Sequence, residues 1–273
     1  MFPKLISIGS FFLPTYGVLV ALGFIAALWI VVRLAKEAKL PAEAVTNLAI
    51  YCALAGLAGA KLFMFLFNWR DYWNDPRSIF TLSTLQAAGV YQGGFLLALV
   101  VAIVYMRQVK LPVLQTFDVF APGIALGHAI GRLGCLAAGC CWGTECHLPW
   151  AITFTNPEAN QLTGVPLNTP LHPSQLYESL AEVCIFAILL WRIRKPHAAG
   201  EVFGLYLILY SSVRFLVEFV RNHEQGLVLG LSLTQWISLA TLAAGIWLVL
   251  RRRSQDWLRL KHVRAGVRHR SGD

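Results

Sequence analysis

Long apolar stretches constrain the fold of this chain more than any other feature. Of its 273 residues, 57% are hydrophobic and only 14% are charged, and the mean hydropathy is +0.59. A helix of roughly 20 mostly apolar residues crosses a bilayer, and inside lipid the backbone must satisfy its own hydrogen bonds, which favours helices. The sequence therefore argues against a soluble multidomain protein and predicts an all-α, polytopic membrane protein.

The apolar stretches predict about seven transmembrane helices. They lie near residues 14–34, 46–67, 88–106, 116–137, 176–191, 202–220 and 233–250. The fifth stretch is the shortest, so six or eight spans remain alternatives. We expect one transmembrane domain over 1–250, with a small extracytoplasmic cap at about 144–174, and a basic tail over 251–273.

Basic residues are distributed unevenly between the loops. When alternate loops are assigned to the two sides, one side carries most of the 23 lysines and arginines, including those of the tail. The other side carries only Lys4, Arg70, Arg77 and Arg221. The positive-inside rule then places the N-terminus outside and the tail in the cytoplasm. We therefore expect the basic residues behind the formal charge of +9 to bind anionic lipid headgroups, and we expect no nucleic-acid partner.

The sixth span carries three polar residues on one helix face, Tyr210, Arg214 and Glu218, at four-residue spacing. A charge at membrane depth is costly unless it is paired or functional. Two interpretations are open. Glu218 and Arg214 form a structural ion pair, or the three residues line a polar cavity in which Arg214 binds an anion.

The fourth span contains His128 and Arg132, also four residues apart, within a glycine-rich run. The guanidinium of Arg132 stays charged and suits a phosphate, whereas His128 is either a packing residue or a base. Three glycines of this span allow close approach of a helix or a lipid headgroup: Gly127, Gly131 and Gly134. Because Arg132 and Arg214 lie on separate predicted helices at membrane depth, we expect them to bind one phosphate group together.

Four of the six cysteines lie close together, at Cys135, Cys140, Cys141 and Cys146. Three interpretations are open: inert packing residues, a disulfide in an oxidising compartment, or a metal or redox site. The spacing is not a repeated C-x-x-C pair. No metal site and no cofactor is therefore predicted.

The chain resembles the prolipoprotein diacylglyceryl transferase family in motifs that run through nearly its whole length. They are Tyr16-Gly17, Gly59-Ala60-Lys61-Leu62, Gly93-Gly94, Gly131-Arg132-Leu133-Gly134, the run from His172 to Glu178, the run from Arg214 to Phe219, and Gln235-Trp236-Ile237-Ser238. The resemblance implies an enzyme of the bacterial inner membrane. It would move the diacylglyceryl group of phosphatidylglycerol to the lipobox cysteine of a prolipoprotein signal peptide, releasing glycerol phosphate.

The resemblance also implies site residues. Those expected to act in catalysis are Arg132, Arg214, His128, Tyr16 and Tyr210. Those expected to bind substrate are Gln92, Gly93, Gly94, His172, Gln175, Glu178 and Glu218. In this mapping the two arginines would hold the phosphate. The spacing of one helical turn from Arg132, and not the resemblance, suggests His128 as the base, with the phosphate of the substrate as the alternative.

The chain departs from the family pattern after Gly134. Where the family signature continues with two asparagines and a glutamate, this chain has Cys135, Ala138 and Cys140. Gln92 stands where the family often has His or Tyr, and an amide cannot accept a proton at neutral pH. Two alternatives therefore stay open: a relative of the same fold that uses its cysteines for metal binding or thiol redox chemistry, and a transferase with a different acceptor.

Overall fold

The computed structural model describes residues 2–8, 11–81, 84, 89–222 and 225–270. Helices dominate it, as expected for an all-α membrane protein. Its residues form two compact units, one comprising 1–31 and 117–273 and the other 32–116. The first unit contains most of the polar residues singled out above.

The helices are α1 (Thr15–Glu37), α2 (Ala42–Phe67), α3 (Trp69–Asn74), α4 (Tyr91–Gln108), α5 (Val113–Ala138), α6 (Pro157–Thr163), α7 (Ser174–Ile193), α8 (Glu201–Val217) and α9 (Leu233–Arg270). Short 3-10 turns cover Pro76–Phe80 and Glu218–Val220. The basic tail predicted at 251–273 continues the backbone of α9 as far as Arg270. Its last three residues lie outside the described part.

Each of the seven predicted spans coincides with a helix, but only six helices of the described chain are long and apolar enough to cross a membrane. The exception is α7, which has 20 residues. Its inner face carries buried polar side chains, among them Gln175, Glu178 and Glu182, and these lower its mean hydropathy. The chain is thus a multi-pass membrane protein with six candidate spans plus α7, which is long enough to cross but too polar to qualify by composition.

In the described part of the chain, three two-stranded antiparallel sheets, which hydropathy did not predict, lie outside the long helices. β1 (Lys4–Ile8) pairs with β2 (Phe11–Pro14), β3 (Ile152–Thr153) with β4 (Pro170–Leu171), and β5 (Leu227–Val228) with β6 (Leu231–Ser232). The β3–β4 pair and α6 lie in the region predicted as a cap, where Phe154, Ala159, Val165 and Leu171 form an apolar cluster; its extracytoplasmic position stays a prediction. The cap is therefore a folded element and not an open loop.

Helices α5, α7 and α8 share a buried apolar cluster in the first unit. Small residues of α5, Ala121 and Ala125, pack against Ile185 and Leu189 of α7 and against Val202 of α8. Small side chains let helix backbones approach closely, as is usual where helices associate in lipid. This packing fixes the three helices that carry most of the candidate site.

Helix α8 begins at a buried carboxylate from another helix. Asp118 of α5 accepts hydrogen bonds from the backbone N–H groups of Gly200 at 2.6 Å and Phe203 at 2.8 Å. Gly200 precedes α8 with φ 91°, a left-handed conformation that glycine adopts without strain. The carboxylate satisfies amides that a helix start leaves unpaired and favours the positive end of the helix dipole.

Candidate active site

Arg132 lies at the centre of a chain of charged side chains in the first unit. Its Nη2 is 2.6 Å from Glu178 Oε2 on α7, and its Nε donates a hydrogen bond to His128 Nε2 at 3.1 Å. Arg221 Nη1 lies 3.8 Å from the other oxygen of Glu178. Because a guanidinium has five N–H donors, these contacts hold Arg132 in place and still leave donors for an anion.

His128 connects Arg132 to a second carboxylate. Its Nδ1 lies 2.9 Å from Glu182 Oε1, and the Glu182 side chain is only 1% exposed. Since Nε2 accepts from Arg132, a neutral His128 must carry its hydrogen on Nδ1 and donate it to Glu182. The lone pair that a base would use is therefore already engaged by Arg132.

Arg214 of α8 forms a separate, largely buried pair with Glu218, the first residue of the 3-10 turn that follows. Its Nη1 is 2.7 Å from Glu218 Oε2, and the side chains are 11% and 1% exposed. Ser232, before α9, donates a hydrogen bond from its Oγ to Glu218 Oε1 at 2.9 Å, and Gln235 accepts one from the Ser232 backbone N–H at 3.0 Å. The predicted ion pair is present. The same carboxylate also positions Arg214 against the start of α9.

Two tyrosines border these groups. The ring of Tyr210 packs edge-on against His128 with centroids 5.6 Å apart, and Tyr210 lies one turn before Arg214 on α8. Tyr16 is the second residue of α1 and lies within electrostatic range of Arg132 and of three cysteines. The structure thus brings together five predicted residues, Arg132, His128, Tyr210, Tyr16 and Glu178, in one unit.

The glycines of α5 divide into packed and open positions. A Cβ at Gly127 would lie 3.3 Å from the Gly23 carbonyl oxygen of α1, and one at Gly134 would lie 3.3 Å from the Tyr16 ring. At Gly131, beside Arg132, an added Cβ would have no heavy atom of the described chain within 4 Å. Gly127 and Gly134 admit a neighbouring helix, whereas Gly131 faces open space.

The turn after α5 is held by the start of α7. Gln175, 1% exposed, donates from Nε2 to the carbonyl of Cys140 at 2.7 Å. Ser174, fully buried, donates from Oγ to the carbonyl of Cys141 at 2.7 Å. Gln175 was expected to bind substrate, but in this structure its amide nitrogen binds the protein backbone. Its role toward substrate stays a prediction.

The sulfurs of Cys135, Cys140 and Cys141 lie within 4.8 Å of one another. None of the three forms a disulfide, and Cys146 is also a free thiol. The pKa of the Cys141 thiol is lowered, chiefly by hydrogen bonds from Cys135 and then Cys140, with Arg221 and Arg132 adding to the effect. The cluster is therefore a convergent group of thiols close to guanidinium groups.

The other predicted substrate-binding residues make contacts of their own. His172 Nδ1 lies 3.2 Å from the Tyr177 hydroxyl, which accepts a hydrogen bond from Trp150 Nε1 at 2.8 Å, so His172 contacts residues near the cap. Gln92, Gly93 and Gly94 belong to the second unit. There the two glycines of α4 pack against the backbone of α2 at Gly59 and Gly56. A substrate role for these four residues stays a prediction.

Sequence reasoning did not assign site roles to Glu182 and Arg221. Glu182 carried a signal, since it shares a helix face with Glu178 four residues away. Arg221 lies beyond α8 in an isolated bridge with Gly143. The two segments of this bridge pack so closely that a Cβ added to Gly143 would lie only 2.6 Å from the Val220 carbonyl oxygen. That pairing joins segments far apart in sequence, so hydropathy and local spacing carried no sign of it.

Comparison with known proteins places the chain in a family. The family model described as prolipoprotein diacylglyceryl transferase matches residues 3–251. Several relatives carry the name phosphatidylglycerol–prolipoprotein diacylglyceryl transferase. That of Clostridium tetani is 33% identical over 85% of this chain and 90% of its own length. That of Methylobacillus flagellatus is 36% identical over 91% and 95%, and that of Erwinia tasmaniensis is 34% identical over 94% and 95%. The chain therefore belongs to the prolipoprotein diacylglyceryl transferase family.

Proposed function

We propose that this protein transfers the diacylglyceryl group of phosphatidylglycerol to the lipobox cysteine of prolipoprotein signal peptides in the bacterial inner membrane. The observation that carries the proposal is the guanidinium of Arg132, whose side chain is only 13% exposed. It is held by Glu178 and His128 and lies next to the open space at Gly131. Family membership and the names of the relatives supply the substrates.

The reaction exchanges one bond for another. The sulfur of the acceptor cysteine attacks the glycerol carbon that bears the phosphate, a C–S bond forms, and the C–O bond to the phosphate breaks. Glycerol phosphate leaves with the bonding electrons, so negative charge grows on its oxygen. Arginine side chains in a low-dielectric setting stabilise such charge, and we assign this role to Arg132 and Arg214.

The carboxylates keep the arginines in place and balance their charge before substrate binds. Glu178 contacts both Arg132 and Arg221, and Glu218 contacts Arg214. Unpaired buried charges would be strongly destabilising. An anionic headgroup would bind the remaining N–H donors of the arginines without requiring their carboxylate partners to leave.

The proton of the acceptor thiol has two candidate destinations, His128 and the departing phosphate. The geometry favours the phosphate, because His128 Nε2 already accepts a hydrogen bond from Arg132. We therefore assign His128 a positioning role: it links the carboxylate of Glu182 to the guanidinium of Arg132. Tyr210, packed against the His128 ring, limits its rotation.

The proposal is tested by depleting a bacterial cell of its own transferase and supplying this chain, then by assaying purified protein with phosphatidylglycerol and a lipobox peptide. We expect the wild type to restore lipidation. Arg132→Ala and Arg214→Ala should each lower the transfer rate by about 10²-fold or more. Arg33→Ala is the control, because Arg33 is an exposed arginine paired with Glu37. Full activity in both site variants, or a wild type that lipidates no acceptor, would contradict the proposal.

A further inference from the structure

Three cysteine thiols converge at the end of α5 in an arrangement that the transfer reaction does not use. Cys135 lies on the last turn of the helix and is buried, whereas Cys140 and Cys141 follow it and are half-buried. All three sulfurs lie within 4.8 Å of one another. Zinc–thiolate bonds of about 2.3 Å place sulfurs about 3.8 Å apart, so the thiols need to close by no more than about 1 Å.

Backbone contacts hold most of this arrangement in place. Gly139 ends the helix with φ 81°, and Cys141 has φ 60°, an uncommon conformation for a residue with a side chain. The Cys140 N–H donates to the Cys135 carbonyl at 3.1 Å. Buried Gln175 and Ser174 donate hydrogen bonds to the carbonyls of Cys140 and Cys141. The three sulfurs are therefore preorganised mainly by backbone contacts. The Cys140 thiol also donates a weak hydrogen bond to the Cys135 carbonyl at 3.7 Å, which it gives up when it loses its proton to a metal.

The charges around the cluster suit an anionic group. Cys141 lies within electrostatic range of Arg221 and Arg132, and three thiolates around a monovalent or divalent cation carry net negative charge. Soft thiolate ligands select Cu⁺ and Zn²⁺ over hard cations such as Mg²⁺. Half-buried Cys140 and Cys141 leave a route by which an ion can enter.

We propose that Cys135, Cys140 and Cys141 bind one thiophilic d¹⁰ cation, Cu⁺ or Zn²⁺. Each thiol releases its proton on binding, and the sulfur lone pair forms the bond to the metal, so no oxidant or reductant is needed. Three thiolates complete a trigonal Cu⁺ site, or leave one position of a tetrahedral Zn²⁺ site for a further ligand. The proposed transfer step does not use these thiols, and the test of metal binding does not depend on activity.

The test uses the full-length protein in detergent or nanodiscs, reduced without oxygen. It is titrated with Zn²⁺ against a chromogenic chelator and, separately, with Cu⁺ against bicinchoninate. We expect one equivalent of at least one cation to bind. The triple variant Cys135→Ser, Cys140→Ser, Cys141→Ser should lose it. Ser174→Ala, which removes the hydrogen bond to the Cys141 carbonyl, should weaken binding about tenfold.

The matched control removes the two cysteines outside the cluster region. Cys52→Ser with Cys184→Ser should keep the equivalent, because Cys52 is on α2 and Cys184 is exposed on α7. If the triple variant does not fold, Cys140→Ser alone replaces it and should weaken binding at least about tenfold. Wild-type protein that binds no more of either cation than the serine variant would overturn the proposal. So would a disulfide between two of the three cysteines in protein isolated without reductant.

Discussion

At the scale of single residues, a substitution of His128 separates two roles that differ in chemistry: accepting the proton of the acceptor thiol, and positioning Arg132. A glutamine at this position keeps both contacts, because its carbonyl accepts from Arg132 and its amide donates toward Glu182. It cannot accept a proton at neutral pH. If His128 only positions Arg132, His128→Gln retains most of the transfer rate while His128→Leu loses it.

The measurement is the rate of diacylglyceryl transfer by purified protein as a function of pH. We expect His128→Gln to keep the wild-type pH profile with a rate within about tenfold. Loss of 10²- to 10⁴-fold, the usual contribution of a general base, together with a changed profile, would assign the proton transfer to His128 instead.

Gly131 gives a second prediction at this scale, because its open side is the proposed place for the lipid headgroup. Leucine is a better helix former than glycine by close to 1 kcal/mol, and no heavy atom of the described chain lies within 4 Å of an added Cβ. Gly131→Leu should therefore keep or raise the thermal unfolding temperature. The transfer rate should fall by up to about 10²-fold through misplaced substrate.

Gly226 provides the control for this substitution. A Cβ added there also has no described heavy atom within 4 Å, and Gly226 is not one of the site residues. Gly226→Leu should leave the transfer rate unchanged. Equal rates for wild type and Gly131→Leu would show that the space beside Arg132 is not used by substrate.

Local spacing predicted the contacts within one helix but not those between helices. Four-residue spacing paired Arg214 with Glu218 and placed His128 next to Arg132, and the structure confirms both. The partner of Arg132 on α7 could not be read in the same way. Which of several buried carboxylates meets a guanidinium depends on how helices pack, and packing is not encoded in spacing along one chain.

At the scale of elements, the start of α8 depends on one carboxylate supplied by α5. Removing it with Asp118→Ala leaves the amides of Gly200 and Phe203 without their partner. A buried donor left unpaired costs about 1–3 kcal/mol, so we expect a clear fall in thermal unfolding temperature in detergent. Because α8 carries Arg214, activity should fall with it.

Glu43 is the matched control, because it is an exposed carboxylate in the first turn of α2. It contributes at most about 0.3–1 kcal/mol through the helix dipole, so Glu43→Ala should shift the unfolding temperature much less. Equal shifts for the two variants would contradict the capping role of Asp118.

Hydropathy predicted the helices better than it predicted the connections. All seven apolar stretches are helical, and the polar inner face of α7 explains why that stretch was the weakest. The short sheets and the turn at Cys141 were not predicted. Two-residue strands such as β3 and β4 have no period to detect, and the turn is stabilised by Ser174 and Gln175 from a distant segment.

At the scale of the whole molecule, we expect α7 to cross the bilayer. Its 20 residues give about 30 Å of helix at 1.5 Å per residue, enough to span the hydrocarbon core. Its buried face carries Glu178 and Glu182, but these pair with Arg132 and His128 inside the protein. Polar residues that face a protein interior are compatible with a membrane span.

The crossing of α7 fixes the relation between the two ends of the chain. Seven spans place the N-terminus and the tail on opposite sides, whereas six place them on the same side. The bias of lysine and arginine toward alternate loops fits only the odd number, because removing one span would put basic loops on both sides. We therefore expect an epitope at the N-terminus to bind antibody in intact spheroplasts and one after residue 273 to bind only after permeabilisation.

A second measurement uses alkaline phosphatase, an enzyme that is active only outside the cytoplasm. Inserted at exposed Gly164 of the cap, it should be active. Both epitopes on one side would mean that α7 does not cross, and the charge asymmetry would then require another explanation.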